Sequence, residues 1–481
     1  MNKTTKKNTI KKGLTWDLVG SFFRQFVSFF ITIILARLLS PKEFGIVGMA
    51  IVFISITQVF IDVGFTSGII QRRDVKGIVY SSVFYVNLSI SILLSLLILI
   101  VAPYVGDFYG KPEVGKILKY LAIIPPIGAF GQIQSTILTK KMDFKSLSLI
   151  NVISTFMGGT AGIMGALMDM GVYSLVLLQL FTVFTSTLLL WYLSKWRPKW
   201  EFSIHEIRSL LGFSSFVFFD QVLRQIFNKI DTIYIGKVFT PAVLGFYSRA
   251  ESFKAQINTY TTSSLRKIMF PALSNLQHQE EAFKKAYQQS FNLVTGVIVL
   301  IVGPIYFLSE EIIIGLFGAK WRPSVVFFQI LIFTALTSPH IGIMAQAVLA
   351  KGYSKLKFKI GLIQRLLKLT PIAFGFWFGD VKIFCFAVVG STLMVFFVYS
   401  YIVYKKLNIS FVAQMRNFFV PNILFFLFLI LFIVYRENIN TLLYSISMIF
   451  LQMIYLKLLN HESYILISNA FSKLKRLKIK L

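Results

Sequence analysis

Fourteen stretches of this chain are apolar over enough residues to cross a lipid bilayer, and that repetition leaves few folds open to it. A spanning helix needs about 20 mostly apolar residues, the length that crosses the hydrocarbon core. The stretches lie near 17–39, 44–69, 78–104, 117–138, 146–168, 172–193, 209–236, 242–270, 288–308, 324–350, 358–378, 381–403, 418–435 and 440–459. The predicted class is all-α and integral to the membrane, with about 14 transmembrane helices, the seventh and eighth the least apolar. Composition agrees: 56% of residues are hydrophobic, 14% are charged and mean hydropathy is +0.72, above an ordinary globular chain.

The net charge of +29 would suggest a nucleic-acid partner in a soluble protein, but its distribution points to membrane topology. With the amino terminus placed in the cytoplasm, the inner loops carry Arg72, Arg73 and Lys76; Lys140, Lys141 and Lys145; and Lys195, Arg197, Lys199 and Arg208. Further on they carry Lys284 and Lys285; Lys351, Lys355, Lys357 and Lys359; and Lys405, Lys406 and Arg416. The opposite loops are short or acidic, with Asp107, Glu113, Glu310, Glu311, Asp380 and Glu437. This is the positive-inside bias. Dropping the weak eighth stretch would reverse the bias in every later loop, so an even count with both termini cytoplasmic is expected. The first apolar run is too long for a signal peptide and has no small-residue cleavage site after it. The basic segment His461–Leu481 reads either as an amphipathic helix on the inner leaflet or as a disordered tail.

The two halves resemble each other. FRQFVSFFITIILARLLSPKEFG aligns without a gap, at an offset of 200 residues, with LRQIFNKIDTIYIGKVFTPAVLG. Arg24 meets Arg224, Gln25 meets Gln225, Pro41 meets Pro241 and Gly45 meets Gly245. Both copies enter from the same side, so the repeat is parallel. It predicts two pseudo-twofold-related six-helix bundles, 1–200 and 201–405, with two additional helices and a basic tail in 406–481. Transporters with such paired bundles carry substrate at the bundle interface.

Charges within the spans need a partner or a wet cavity. They concentrate in four: Arg24 in the first, Asp62 beside Gln58 in the second, Asp220, Arg224, Lys229 and Asp231 in the seventh, and Arg249, Glu251 and Lys254 in the eighth, ending near Arg266 and Lys267. These are equivalent helices of the two bundles, placed to line one central cavity. Asp220 and Arg224 are spaced to neutralise each other, and Asp62 is placed either to pair with Arg72 or Arg73 or to carry a proton. Arg24, Arg249 and Lys254 have no local acid apart from Glu251. A basic lining suits an anion, because arginine binds phosphate through paired donors. The membrane location and aromatic walls suit a lipid tail, so a lipid-linked phosphate or pyrophosphate is the expected ligand.

Other classes fit less well. Cys385 is a lone cysteine, so no intramolecular disulfide forms, and four scattered histidines have no ligand spacing, so neither a metal site nor a cofactor is expected. A membrane glycosyltransferase or polymerase would need a carboxylate pair for a metal-nucleotide or a large external loop, and no Asp-x-Asp occurs. A cation or drug exporter should show acids dominating its cavity. A scaffold would have little use for the intramembrane charges.

Three stretches carry a family resemblance: LARLLSPKEFGIVGMAIVFISITQVFIDVGFTSGIIQRRD, then FPALSNLQ, then LFGAKWRPSVVFFQIL. Over residues 10–405 the chain resembles the Wzx-type polysaccharide flippases of the multidrug/oligosaccharidyl-lipid/polysaccharide exporter superfamily, especially exporters of the colanic acid and teichuronic acid type. The resemblance implies a two-bundle fold, alternating access, and transport of undecaprenyl-pyrophosphate-linked repeat units across the bacterial cytoplasmic membrane. It implies membrane lipids, a polysaccharide polymerase and export machinery as partners, and no enzymatic activity or nucleic-acid partner. It assigns the cavity-lining role to Arg24, Arg224, Arg249 and Lys254, with Asp62 or Glu251 as ion-coupling candidates. The last two spans are similar in position to helices that accept the lipid tail in lipid II flippases.

Overall fold

The computed structural model describes residues 3–62, 64–72, 74–435, 440–459 and 464, with side chains described outside 3–15, 211–217 and 260–268. Arg73, Glu437, the side chains of Arg266 and Lys267, and the tail His461–Leu481, apart from position 464, lie outside the described residues. Among the described residues every regular element is helical, and the chain divides into two compact units, Met1–Ser248 and Arg249–Leu481.

Unit 1 contains α1 (Lys3–Leu38), α2 (Pro41–Asp62), α3 (Phe65–Gln71), α4 (Gly77–Tyr109), α5 (Pro112–Leu121), α6 (Ile124–Lys140), α7 (Phe144–Leu167), α8 (Tyr173–Ser194), α9 (Ile204–Val238) and the start of α10 (Pro241–Asn275). Unit 2 continues α10 and adds α11 (Glu280–Phe307), α12 (Ser309–Phe317), a 3₁₀ turn (Ala319–Trp321), α13 (Pro323–Leu331), α14 (Phe333–Ala350), α15 (Ser354–Leu367), α16 (Thr370–Phe378), α17 (Val381–Leu407), α18 (Phe411–Tyr435) and α19 (Thr441–Leu458). Eleven helical segments among the described residues are long and apolar enough to cross a membrane, and each coincides with a stretch read from the sequence. The other three stretches are helical but fall short of that measure. Those of α9 and α10 carry most of the intramembrane charges, and 358–378 is split into a basic α15 and an apolar α16. Pro371 begins that second piece, because it has no N–H to continue a helical ladder.

In lipid the hydrophobic effect does not drive helices together, so close backbone approach through small residues matters more. The sequence of α7 supplies it on two faces. A Cβ at Gly158 would stand 1.9 Å from Thr182 Oγ1 and one at Gly162 would stand 2.9 Å from Leu178 Cβ, both on α8. On the other face, a Cβ at Gly159 would meet Ile31 of α1 at 2.0 Å. α7 is thereby held between α1 and α8. A second apolar core joins α3, α4, α6 and the start of α9 through Phe65, Ile69, Val83, Phe84, Ile133 and Leu210.

The aligned Pro-x-x-x-Gly segments meet reciprocally within unit 1. A Cβ on Gly45 would lie 1.8 Å from the Pro241 carbonyl oxygen, and one on Gly245 would lie 2.0 Å from that of Pro41. In unit 2, α11 is central, packing against α14, α18 and α19. Met448 of α19 sits on Gly303 of α11, and Gln452 and Tyr455 donate to the carbonyls of Pro421 and Val420 in α18. The last two helices are therefore integral to this unit.

Candidate functional site

Polar residues spaced three or four apart share one face of a helix, and several apolar helices of unit 1 carry such a triplet. They are Gln132, Ser135 and Thr136 on α6, Asn151, Ser154 and Thr155 on α7, and Thr182, Ser186 and Thr187 on α8. The three faces converge with Arg24 of α1 and Gln58 and Asp62 of α2 around a cavity of about 510 Å³. Its volume falls in the roughly 300–1,000 Å³ range of small-molecule sites. Thr155 and Thr182 also line a neighbouring cavity of about 380 Å³ toward Ser28, Thr32, Gly48 and Gln179, so the two adjoin.

Within the larger cavity the charges balance, one arginine against one carboxylate, among neutral donors and acceptors. Asp62 ends α2 and caps the next helix: its Oδ1 accepts from the Thr66 backbone N–H at 3.0 Å and from the Thr66 hydroxyl at 2.6 Å. That hydroxyl lies 3.2 Å from Thr136 Oγ1, which donates to the Gln132 carbonyl at 2.9 Å. Gly64, with φ of 76°, supplies the left-handed bend between α2 and α3. The pairing of Asp62 with Arg72 is not formed, because Arg72 bonds Glu206 at 3.3 Å and Ser209 at 2.7 Å instead. Pairing with Arg73 lies outside the described residues.

The remaining sequence-selected residues stand elsewhere. Arg224 on α9 is well exposed and ion-pairs with Asp220 one turn earlier, the neutralising arrangement that their spacing allowed. It does not line the cavity that holds Arg24. Its neighbour Gln225 donates to the Ser55 carbonyl of α2. In unit 2, Lys254 is ion-paired with Glu251 at 2.6 Å, and its side chain is 10% exposed. Arg249, buried, places its guanidinium 5.0 Å from the ring centres of both Phe317 and Trp321. These rings belong to the LFGAKWRP segment, whose turn passes through Gly318 at φ 98°. The two rings meet edge-on at 6.4 Å, and a planar, weakly hydrated cation suits the corner they form better than an ammonium would.

Charge was the signal the sequence reading followed, so it selected Arg24 and Asp62 and missed the hydroxyl and amide groups that form most of the cavity wall. Their three- and four-residue spacing in otherwise apolar helices was the available clue.

A family model described as "Polysaccharide biosynthesis protein" matches residues 34–326. The succinoglycan biosynthesis transport protein ExoT of Rhizobium meliloti (strain 1021) is 26% identical over 325 residues, 67% of this chain and 65% of that protein. The match thus spans just under two thirds of that relative's length. The lipopolysaccharide biosynthesis protein WzxC of Escherichia coli (strain K12) is 20% identical over 344 residues, 71% of this chain and 70% of that protein. Among solved structures, the lipid II flippase MurJ in an inward closed conformation superposes with a TM-score of 0.73 at 14% identity, over 92% of this chain and 99% of that one. That likeness establishes a shared fold.

Proposed function

The chain belongs to the polysaccharide biosynthesis protein family, and from that premise we propose that it is a flippase for undecaprenyl-pyrophosphate-linked oligosaccharide repeat units in the bacterial cytoplasmic membrane. The observation that carries this reading is the polar cavity of about 510 Å³ among helices apolar enough to span a bilayer. Hydroxyls and amides of Thr, Ser, Gln and Asn are the groups that exchange hydrogen bonds with sugar hydroxyls. They are costly in lipid unless a ligand or water meets them. Arg24, on the same wall, offers the paired donors that a phosphate takes.

In this reading the pyrophosphate head enters from the cytoplasmic side and the glycan follows it. The bundles rock about the pseudo-twofold axis, and the polyprenyl tail stays in lipid. Arg224, Arg249 and Lys254 are the further cationic candidates for the ligand. Arg224 and Lys254 would exchange Asp220 and Glu251 for the ligand, whereas Arg249, held against the Phe317 and Trp321 rings, contributes its fixed positive field. Asp62 and Glu251 are the ion-coupling candidates. At Asp62 both bonds from Thr66 fall on Oδ1. Both termini lie in the cytoplasm, and the product passes outside to a polymerase and the export machinery.

The test is the sidedness of lipid-linked oligosaccharide in vesicles of defined orientation from depleted cells, probed with an impermeant sugar-modifying enzyme. Repeat units should accumulate on the cytoplasmic leaflet and clear when the protein returns. A normal distribution would overturn the reading in favour of small-molecule export.

A further inference from the structure

A second cavity in unit 1, also of about 510 Å³, is built differently from the first. Its wall combines Asp74 and Lys76 from the segment before α4, Tyr80 from the first turn of α4, and Ile137, Lys140 and Lys141 from the end of α6. Three lysines face one aspartate, a formal excess of two positive charges. Among the described residues none of the three lysines makes an ion pair. The Lys140 ammonium donates to the carbonyls of Ile69 at 2.9 Å and Arg72 at 2.7 Å, which anchors it. An ammonium has three donors, so one remains. Lys76 and Lys141 are exposed.

The depth of this cavity follows from its aromatic neighbours. Tyr80 stands edge-on to Trp196 at 6.3 Å, Phe84 contacts both Trp191 and Trp196, and Tyr85 stacks on Trp200 at 5.8 Å. Arg197 lies over Trp191 at 5.0 Å. Tryptophan and tyrosine beside arginine and lysine mark the level of the lipid headgroups. Lys76, Lys140 and Lys141 fall in loops that the charge bias assigns to the cytoplasmic side, where basic pockets at headgroup level take anionic headgroups.

We propose that this pocket is a binding site for the phosphodiester headgroup of an anionic phospholipid, separate from the transported substrate. Lys76 and Lys141 supply the mobile charges, the free donor of Lys140 fixes the phosphate, and the Tyr80 hydroxyl is placed for the glycerol backbone. The lipid would clamp the segment between α3 and α4 to the end of α6, adding to the Lys140 hydrogen bonds and to the apolar core that already joins these helices.

The test uses the full-length chain in lipid nanodiscs, with lipid retention counted by native mass spectrometry and thermal melting followed in parallel. Phosphatidylglycerol should be retained over phosphatidylcholine and should raise the melting temperature. K76Q/K141Q, which removes two exposed charges and spares the anchored Lys140, should weaken phosphatidylglycerol retention about thirtyfold, at the usual contribution of a lysine near an anionic surface. K145Q, a basic residue just beyond the pocket, should leave it unchanged. Equal retention of the two lipids, equal retention by K76Q/K141Q, or full displacement by millimolar inorganic phosphate would each overturn the lipid assignment, the last by identifying a free-phosphate site. Preferential capture of a polyprenyl pyrophosphate over phosphatidylglycerol would overturn it too, by making the pocket part of the transport route.

Discussion

At the residue scale, two side chains have structural work that charge alone did not reveal. Asp62 caps α3, so Asp62→Asn, which keeps the acceptor oxygen, should melt close to the parent, whereas Asp62→Ala should lose about 1 kcal/mol, the usual worth of a cap. Loss of ion-gradient-dependent transport in Asp62→Asn at unchanged stability would assign the carboxylate to coupling; intact transport would leave it a cap alone. Arg249 packs its guanidinium against the rings of both Phe317 and Trp321, so Arg249→Ala should destabilise by about 2 kcal/mol and Arg249→Lys by less. Thermal melting in detergent reads both. An Arg249→Ala protein that melts normally yet fails to transport would move this residue from the packing to the ligand.

At the scale of elements, glycine decides how closely helices approach. Gly45 and Gly245 rest on the carbonyls of Pro241 and Pro41 in one crossing. Each Gly→Ala change forces the same two backbones apart, at about 1–3 kcal/mol for overpacking. The double variant should therefore cost clearly less than the sum of the singles, since the first Cβ has already opened the crossing. Additive losses in melting would show two independent contacts. In α7, Gly158→Val should prevent the seating of α8, while Gly128→Ala in α6, whose Cβ would lie 3.9 Å from Val183 of α8, should be tolerated. The repeat in the sequence located the Pro-x-x-x-Gly segments but carried no information on which surface met which.

At the scale of the molecule, the number of crossings turns on α9 and α10. The charged α9 and α10 fall short of the apolarity that marks the other spans, yet removing α10 alone would switch the side of every later loop and reverse the charge bias. In a Cys385→Ala background, Thr240→Cys, between these helices, should react with an impermeant thiol reagent from the outer face, and Lys199→Cys from the inner face. Labelling of both from the inner face would remove both helices from the membrane count. The seat of the last two helices was also hidden from hydropathy, which marks them as spans without saying that they pack on α11.

The sequence by itself determined the class of the molecule, because the bilayer tests each segment for length and apolarity independently of the rest of the chain. It determined the internal repeat and the positions of the intramembrane charges for the same reason: both are properties of a single strand of residues read in order. The tertiary structure alone decided what those charges do. Arg24 and Asp62 share a polar cavity, Arg224 and Lys254 have carboxylates one turn away, and Arg249 lies against two aromatic rings some 70 residues further along. The cavity wall itself was decided there too, since neutral hydroxyls scattered over α6, α7 and α8 become one polar surface only when glycines let those helices close on one another.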